Sequence, residues 1–288
     1  MIRYNPKSWS LLLMVKGALI RKLMPGMLII ASISSVLCYL HMKEKIPFLV
    51  ISNSLPGYMG AALGLLLVFR NNTAYEKWWE ARKEVGALVN VSRNIAITLN
   101  GFLPKENAEK FKVAHLVASF AFTMKGHLRN KVKMEEVHIL EHEDYAIVEK
   151  ALHKPAAIAN IIMSKIEDLW KNKHISDMQQ IVLVNQVTTM VDVVGRCERI
   201  KNTPIPIAYA FLLKFFIVLY VMILPFGLLD ELQWWSVPLS IILYYIMMSI
   251  VLTAEEIEDP FGKDLNDLPM DEIASNIRKN VMELVKYE

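Results

Sequence analysis

Residues 48–69 read FLVISNSLPGYMGAALGLLLVF, an uncharged run that leads directly into the charged and aromatic stretch RNNTAYEKWWEAR at 70–82. A helix needs about 20 apolar residues to cross a hydrocarbon core about 30 Å thick, and this run is long enough. No glycine or proline occurs between Leu65 and Val85. The sequence therefore predicts one helix that crosses a membrane and continues into water.

The aqueous part of this helix carries a short aromatic stripe. Tyr75, Trp78 and Trp79 recur at the spacing of one helical face, whereas Arg70 and its charged successors fill the remaining surface. This pattern predicts a helix standing in water, with the three aromatic side chains packed and Arg70 solvated.

Three further apolar runs are candidates for membrane helices, namely Met24–Leu40, Ile205–Leu229 and Trp234–Thr253. Residues 70–204 are polar with a helical pattern, and strand signals are absent, so we predict an all-α membrane protein with four transmembrane helices. The predicted division is 1–23 as a cytoplasmic N-terminal segment, 24–69 as transmembrane helices one and two, 70–204 as a cytoplasmic helical domain, 205–253 as transmembrane helices three and four, and 254–288 as a cytoplasmic C-terminal segment.

The orientation follows from the charges near the ends of the spans. The segment before the first span has five basic residues and no acid: Arg3, Lys7, Lys16, Arg21 and Lys22. The loop between the third and fourth spans offers only Asp230 and Glu231. Because basic residues concentrate on the cytoplasmic side, we expect both termini and the large insert to be cytoplasmic.

Helix ends in the polar part are marked by prolines. Breaks are expected at Pro104, near Pro155, and at Pro204 and Pro206, and a buried stripe is expected over Val113, Leu116, Val117 and Phe120. The fourth span should overrun the membrane and stop at the acidic residues that precede Pro260.

Composition excludes several classes of protein. Apolar residues make up 54% of the chain and charged residues 21%, which fits a chain that is part membrane and part water. The net charge of +3 is too small to indicate nucleic acid as a partner. No phosphate-binding glycine loop, nucleophile elbow or cysteine-pair motif is present, so we expect no enzyme.

Two features leave their interpretation open. His138 and His142 have the spacing that could hold a metal on one helical face, but the acidic residues around them favour a solvated charge run. Lys214 lies within the third span and should face protein or water rather than lipid. The sequence does not decide whether it is a structural lysine or part of a permeation pathway.

The second span has one face of distinctive composition. Gly57, Ala61, Leu65 and Phe69 repeat every four residues, and several copies around an axis would form a tube that narrows towards Phe69. Such an apolar constriction can gate ion flow by excluding water. The pattern by itself favours plain helix–helix packing over a pore lining.

Three motifs resemble the bestrophin family of ion channels. The stretch FRNNTAYEKWWEAR at 69–82 is similar to the bacterial bestrophin signature after the second span. GRCERI at 195–200 with TPIP at 203–206 resembles the entry to the third span, and EDPFGKDLNDLP at 258–269 resembles the exit from the fourth. The order of apolar and polar segments also resembles that of the family over nearly the whole chain.

The resemblance implies a homopentamer in a membrane, with a central pore for small inorganic ions. Ala61, Leu65 and Phe69 correspond to the three rings of the neck, and Ala61 departs from the bulkier apolar residue usual at the first ring. The second, cytoplasmic aperture is placed at Met178 or its neighbours.

Animal bestrophins bind Ca²⁺ in a clasp of carboxylates and backbone carbonyls. Asp264 and Asp267 match the carboxylate positions, while Glu256 and Asp259 match carbonyl donors at the end of the fourth helix; further carbonyls come from the N-terminal segment. Lys263 and Asn266 replace acids of the animal cluster. We therefore favour a turn-and-cap role for Asp264 and Asp267 over Ca²⁺ binding, and expect no required cofactor.

The leading hypothesis is thus a passive channel in the inner membrane of a bacterium. Whether it selects anions or cations stays open, because animal members pass chloride whereas bacterial relatives can favour monovalent cations such as sodium. The alternative from another class is a membrane-anchored scaffold whose insert binds a soluble partner.

Overall fold

The computed structural model describes residues 10–43, 54–104, 106–139 and 141–286, and within these ranges the chain is helical and contains no strand. The predicted all-α class is confirmed for them. Two 3₁₀ turns occur at Met134–Glu136 and Gln233–Trp235. The α-helices are α1 Ser10–Met42, α2 Ser54–Phe102, α3 Ala108–Leu128, α4 His142–Lys150, α5 Lys154–Lys171, α6 Asp177–Asn202, α7 Ile207–Leu232, α8 Ser236–Glu258 and α9 Met270–Lys286.

The predicted helix ends are confirmed at the prolines. α2 runs without interruption for 49 residues and ends at Phe102, just before Pro104. α8 likewise ends at Glu258, ahead of Pro260. A proline has no N–H to donate and disfavours helical geometry in the residue before it, so it stops a helix at these points.

The chain divides into two compact units, each described here by itself. The apolar unit comprises the described residues up to Glu76 together with Pro204–Glu258. It contains α1, the first part of α2, α7 and α8. Its core includes Ile30 of α1, Leu63 of α2, Ile217 of α7 and Val251 of α8, all buried.

Two stretches of the described residues are long and apolar enough to cross a membrane. They are Leu19–Met42 in α1 and Ile207–Glu258, which covers both α7 and α8. Part of the predicted second span, 48–53, lies outside the described residues. The number of membrane crossings therefore stays a prediction.

The polar unit comprises Lys77–Thr203 and the described residues from Asp259 onward. Its core is built from α2, α3, α5, α6 and α9, and includes Leu88, Phe120, Ile162, Val187 and Ile277. The stripe predicted on α3 is confirmed, since each of its four residues is buried. The side of the membrane on which this unit lies stays a prediction.

The aromatic stripe predicted on α2 is only partly correct. Trp78 packs against the core of the polar unit, and its Nε1 donates a hydrogen bond to the carbonyl of Asn266 at 3.0 Å. Tyr75 and Trp79 are about half exposed. Neighbouring helical residues are about 100° apart, so Trp79 turns away from the surface that Trp78 covers.

Candidate functional site

The predicted neck residues lie together on an exposed side of α2. Ala61 is exposed, and Leu65 and Phe69 are 57% and 55% exposed within the single chain. On the other side of the same turns, Leu63 and Leu67 are buried in the core of the apolar unit. The apolar unit thus uses one side of α2 for its own core and leaves the side with the predicted neck residues uncovered.

The glycines of this helix divide between the two sides. A Cβ added at Gly60 would lie 3.0 Å from the Tyr220 hydroxyl, so Gly60 allows a close approach to α7. A Cβ at Gly57 or Gly64 would meet no atom within 4 Å. Packing within the described chain therefore explains the glycine at 60 and not those at 57 and 64.

Arg70, which directly follows Phe69, is 2% exposed, so its predicted solvated position is wrong. Its Nη2 donates a hydrogen bond to Oε2 of Glu258 at 2.6 Å, and Oε1 of Glu258 accepts the backbone N–H of Ile205, also at 2.6 Å. This node joins α2, the approach to α7 and the end of α8. The sequence analysis missed it because the partners are 188 residues apart.

Lys214 of α7 has a partner within the chain. Its Nζ lies 2.6 Å from Oε1 of Glu255 on α8, and both side chains are partly exposed. An ion pair lowers the cost of placing an ammonium group in an apolar helix. The structure therefore supports the partnered, structural interpretation of the two that the sequence left open.

Met178, the predicted aperture residue, lies in the first turn of α6 and is 73% exposed. Ser176 and Gln179 form a reciprocal capping box at this helix start, with the side chain of each accepting the backbone N–H of the other. The cap fixes the turn that carries Met178. Its role as an aperture stays a prediction.

The turn after α8 holds the predicted clasp residues of the polar unit. Asp267 is 6% exposed, and its Oδ2 accepts the backbone N–H of Asp264 at 2.6 Å. This contact is typical of the turn role that aspartate often has. Asp259 and Asp264 are exposed. Glu256 belongs to the apolar unit, and the first nine residues lie outside the described chain, so the complete clasp stays untested.

Arg129, at the end of α3, holds the same turn. Its Nε and Nη2 donate to the carbonyls of Phe261 and Gly262 at 3.0 and 2.8 Å, and its Nη1 donates to Asp271 at 2.6 Å. Lys125 also donates to Asp271, at 2.9 Å. Burial alone would raise the pKa of Asp271, but these hydrogen bonds outweigh it and lower the pKa to about 2.

The two histidines with metal-like spacing do not share a helix. His142 is the first residue of α4, whereas His138 precedes that helix, and its backbone carbonyl accepts the Ser119 hydroxyl at 2.8 Å. The one-face metal geometry considered for them is therefore wrong, because i, i+4 spacing aligns side chains only within a continuous helix.

A different histidine cluster was missed. Nε2 of His127 and Nε2 of His153 lie 2.5 and 2.9 Å from the same oxygen of Glu198, and the three residues are far apart in sequence. Burial would raise the pKa of Glu198, but the two histidine hydrogen bonds lower it overall. Nδ1 of His153 accepts the Ala156 N–H at 3.0 Å, so its proton sits on Nε2.

That proton places a condition on metal binding. A metal at His153 Nε2 would have to displace it and break the cap that His153 makes at the start of α5. The adjoining cavity of about 510 Å³ is also lined by Lys154 and Lys201, whose charges repel a cation. The cluster is satisfied as a hydrogen-bonded group linking α3, α5 and α6.

The long apolar helices and the all-helical fold have the length and composition that an α-helical membrane protein requires. The family model described as Bacterial/Fungal Bestrophin protein matches residues 1–283, and the chain belongs to that family.

Two relatives are curated as voltage-dependent anion channel-forming proteins. One, from Synechocystis sp., is 38% identical over 229 residues, which cover 78% of this chain and 75% of the relative. The other, YneE from Escherichia coli K12, is 34% identical over 228 residues, covering 78% of this chain and 74% of its own length. A crystal structure of a bacterial bestrophin homologue from Klebsiella pneumoniae superposes with a TM-score of 0.86 at 25% identity, covering 92% of this chain and 100% of that one.

Proposed function

We propose that this protein is a bestrophin-type channel that passively conducts small monovalent anions. The observation that carries the proposal is the uncovered apolar face of α2 at Ala61, Leu65 and Phe69, in a chain whose curated relatives are named for anion channels. A membrane-anchored scaffold would also expose apolar side chains to lipid, so the names of the relatives favour the channel over it.

The assembly proposed is a homopentamer in the bacterial inner membrane, with both termini in the cytoplasm. Five copies of α2 surround one axis, and Ala61, Leu65 and Phe69 form successive rings of the neck. These side chains are apolar and cannot replace the water that an ion loses when it enters the neck. The neck therefore limits the current. Met178 is proposed as the second, cytoplasmic constriction.

Planar bilayers containing the purified protein test this function. Under a NaCl gradient we expect a current. Its reversal potential should be displaced from zero towards the equilibrium potential of chloride. A reversal potential displaced towards the equilibrium potential of sodium would show that the channel is cation-selective. No current from correctly assembled protein would refute the channel and favour the scaffold.

We further propose that Ca²⁺ is not needed for conduction. Oδ2 of Asp267 accepts a backbone N–H of its own turn, and Arg129 supplies a permanent positive charge to the carbonyls at 261 and 262. Currents with a Ca²⁺ chelator should equal those with micromolar Ca²⁺. A submicromolar Ca²⁺ requirement that disappears in Asp264→Ala/Asp267→Ala would show a working clasp instead.

A further inference from the structure

We propose that the buried Arg70–Glu258 pair keeps the inner end of the neck electrostatically balanced, so that neither anions nor cations are favoured there by an uncompensated charge. The inference rests on the proposed function, since it takes Phe69 as the last ring of a conducting neck. It assigns a role to two residues that do not line the neck themselves.

The first step is the position of Arg70. It follows Phe69 in α2, so the two side chains leave the helix about 100° apart and within one turn. Phe69 points to the uncovered side, whereas the guanidinium of Arg70 is enclosed by the apolar unit. The charge therefore lies near the neck without entering it.

The second step is the charge balance. The described residues give the Arg70 side chain one hydrogen bond, to Glu258, and leave its buried Nε and Nη1 without any. Both oxygens of Glu258 are in use, one by Arg70 and one by the N–H of Ile205. Arg70 thus depends on a single carboxylate to neutralise it.

The third step is the reach of an unbalanced charge. Water screens charges well, but apolar protein and lipid do so weakly, and fivefold repetition would add the contributions. A positive charge left beside the neck attracts anions, and a negative one attracts cations. With both present, the two contributions largely cancel.

A purely mechanical role for the pair predicts a different pattern. If Arg70 and Glu258 only position α2, then loss of either partner should disturb the neck in the same way. Loss of both should then be at least as harmful. The sign of the selectivity change separates the two roles.

The experiment compares reversal potentials of three variants with the parent protein in planar bilayers under a NaCl gradient. Glu258→Gln should shift the chloride-to-sodium permeability ratio upward, on the order of threefold or more. Arg70→Gln should shift it downward by a similar factor. Arg70→Gln/Glu258→Gln, which removes both charges, should return close to the parent value.

Controls keep the test decisive if a variant folds poorly. Each variant is compared with the parent by mass in detergent and by thermal unfolding, and Arg70→Lys preserves the charge while changing the geometry. If Arg70→Gln does not assemble, comparing the permeability ratios of Glu258→Gln and the double variant still gives the direction of the selectivity change. Two results would overturn the inference while the parent still conducts. One is an unchanged permeability ratio in Glu258→Gln, and the other is an equal shift in all three variants. Either result would leave the proposed channel function intact. A parent without current defeats the proposed function itself.

Discussion

At the scale of single residues, the neck depends on which side of α2 a leucine occupies. Leu65 and Leu66 are neighbours of the same size, but Leu65 lies on the uncovered side and Leu66 is packed against the core of the apolar unit. The pair offers a matched comparison between conduction and packing.

We expect Leu65→Ala and Phe69→Ala to raise single-channel conductance, because a wider neck admits more water, and to leave the ion sign unchanged. Ala61→Leu should lower it. Leu66→Ala, the control, should cost about 1–2 kcal/mol of stability, because Leu66 is only partly buried, and should leave conductance unaltered. Single-channel recordings decide the matter, and equal conductance in all four variants would mean that the neck lies elsewhere.

Asp271 provides a second test at this scale, through pH. Its pKa is lowered to about 2 from an ordinary 3.8, so the carboxylate contributes stability above about pH 4 and loses that contribution as the pH falls towards 2. The side chain is largely exposed, which reduces the gain to about 1 kcal/mol.

We therefore expect Asp271→Asn to unfold at a lower temperature than the parent at pH 7. The difference should shrink as the pH is lowered from 4 towards 2, because the parent carboxyl then becomes protonated. Thermal unfolding of both proteins across this range is the measurement. A difference that stays constant with pH would show that the charge of Asp271 contributes nothing.

At the scale of elements, helix ends could be read from the sequence because they depend on local chemistry. α2 ends before Pro104 and α8 before Pro260, and the missing N–H that favours these ends is a property of the residue itself. The aromatic stripe predicted on α2 was only partly correct, for the opposite reason. Whether Trp79 is covered depends on which other elements lie near it, and spacing along the chain contains no such information.

Close approach between elements gives a further prediction. A Cβ added at Gly126 of α3 would lie 2.6 Å from the backbone of Val132, which cannot move aside as a flexible side chain can. We expect Gly126→Ala to lose about 1–3 kcal/mol of stability. In contrast, Gly195 of α6 has no neighbour within 4 Å of an added Cβ.

Gly195→Ala is therefore the matched control, since alanine favours a helix over glycine by about 1 kcal/mol. Denaturant unfolding should show opposite changes in the two variants. If both lose stability equally, the packing of Val132 on α3 is not the cause.

At the scale of the whole molecule, the proposed pentamer and orientation follow from family membership and the charge pattern. A cysteine in place of Glu231, in the loop predicted outside, should react with an impermeant thiol reagent added to intact cells. A cysteine in place of Glu288 should react only after lysis. The native Cys38 and Cys197 are buried, which keeps the background low.

Mass in detergent completes this prediction, with five chains expected for each particle. Labelling at position 288 by reagent added to intact cells would show that the C-terminus is outside and that the proposed orientation is wrong. A monomer or dimer would leave the uncovered face of α2 without the fivefold symmetry that a neck requires.

The sequence by itself determined the helical class, the long continuous α2, the proline-marked helix ends and the family, because each depends on local composition, local periodicity or a contiguous motif. Only the tertiary structure decided that Arg70 is buried against Glu258, that Lys214 meets Glu255, and that His127, His153 and Glu198 converge. These contacts join residues that are distant in the chain. A charged side chain has the same letter whether it is solvated or paired, so its partner becomes visible only when the helices are packed.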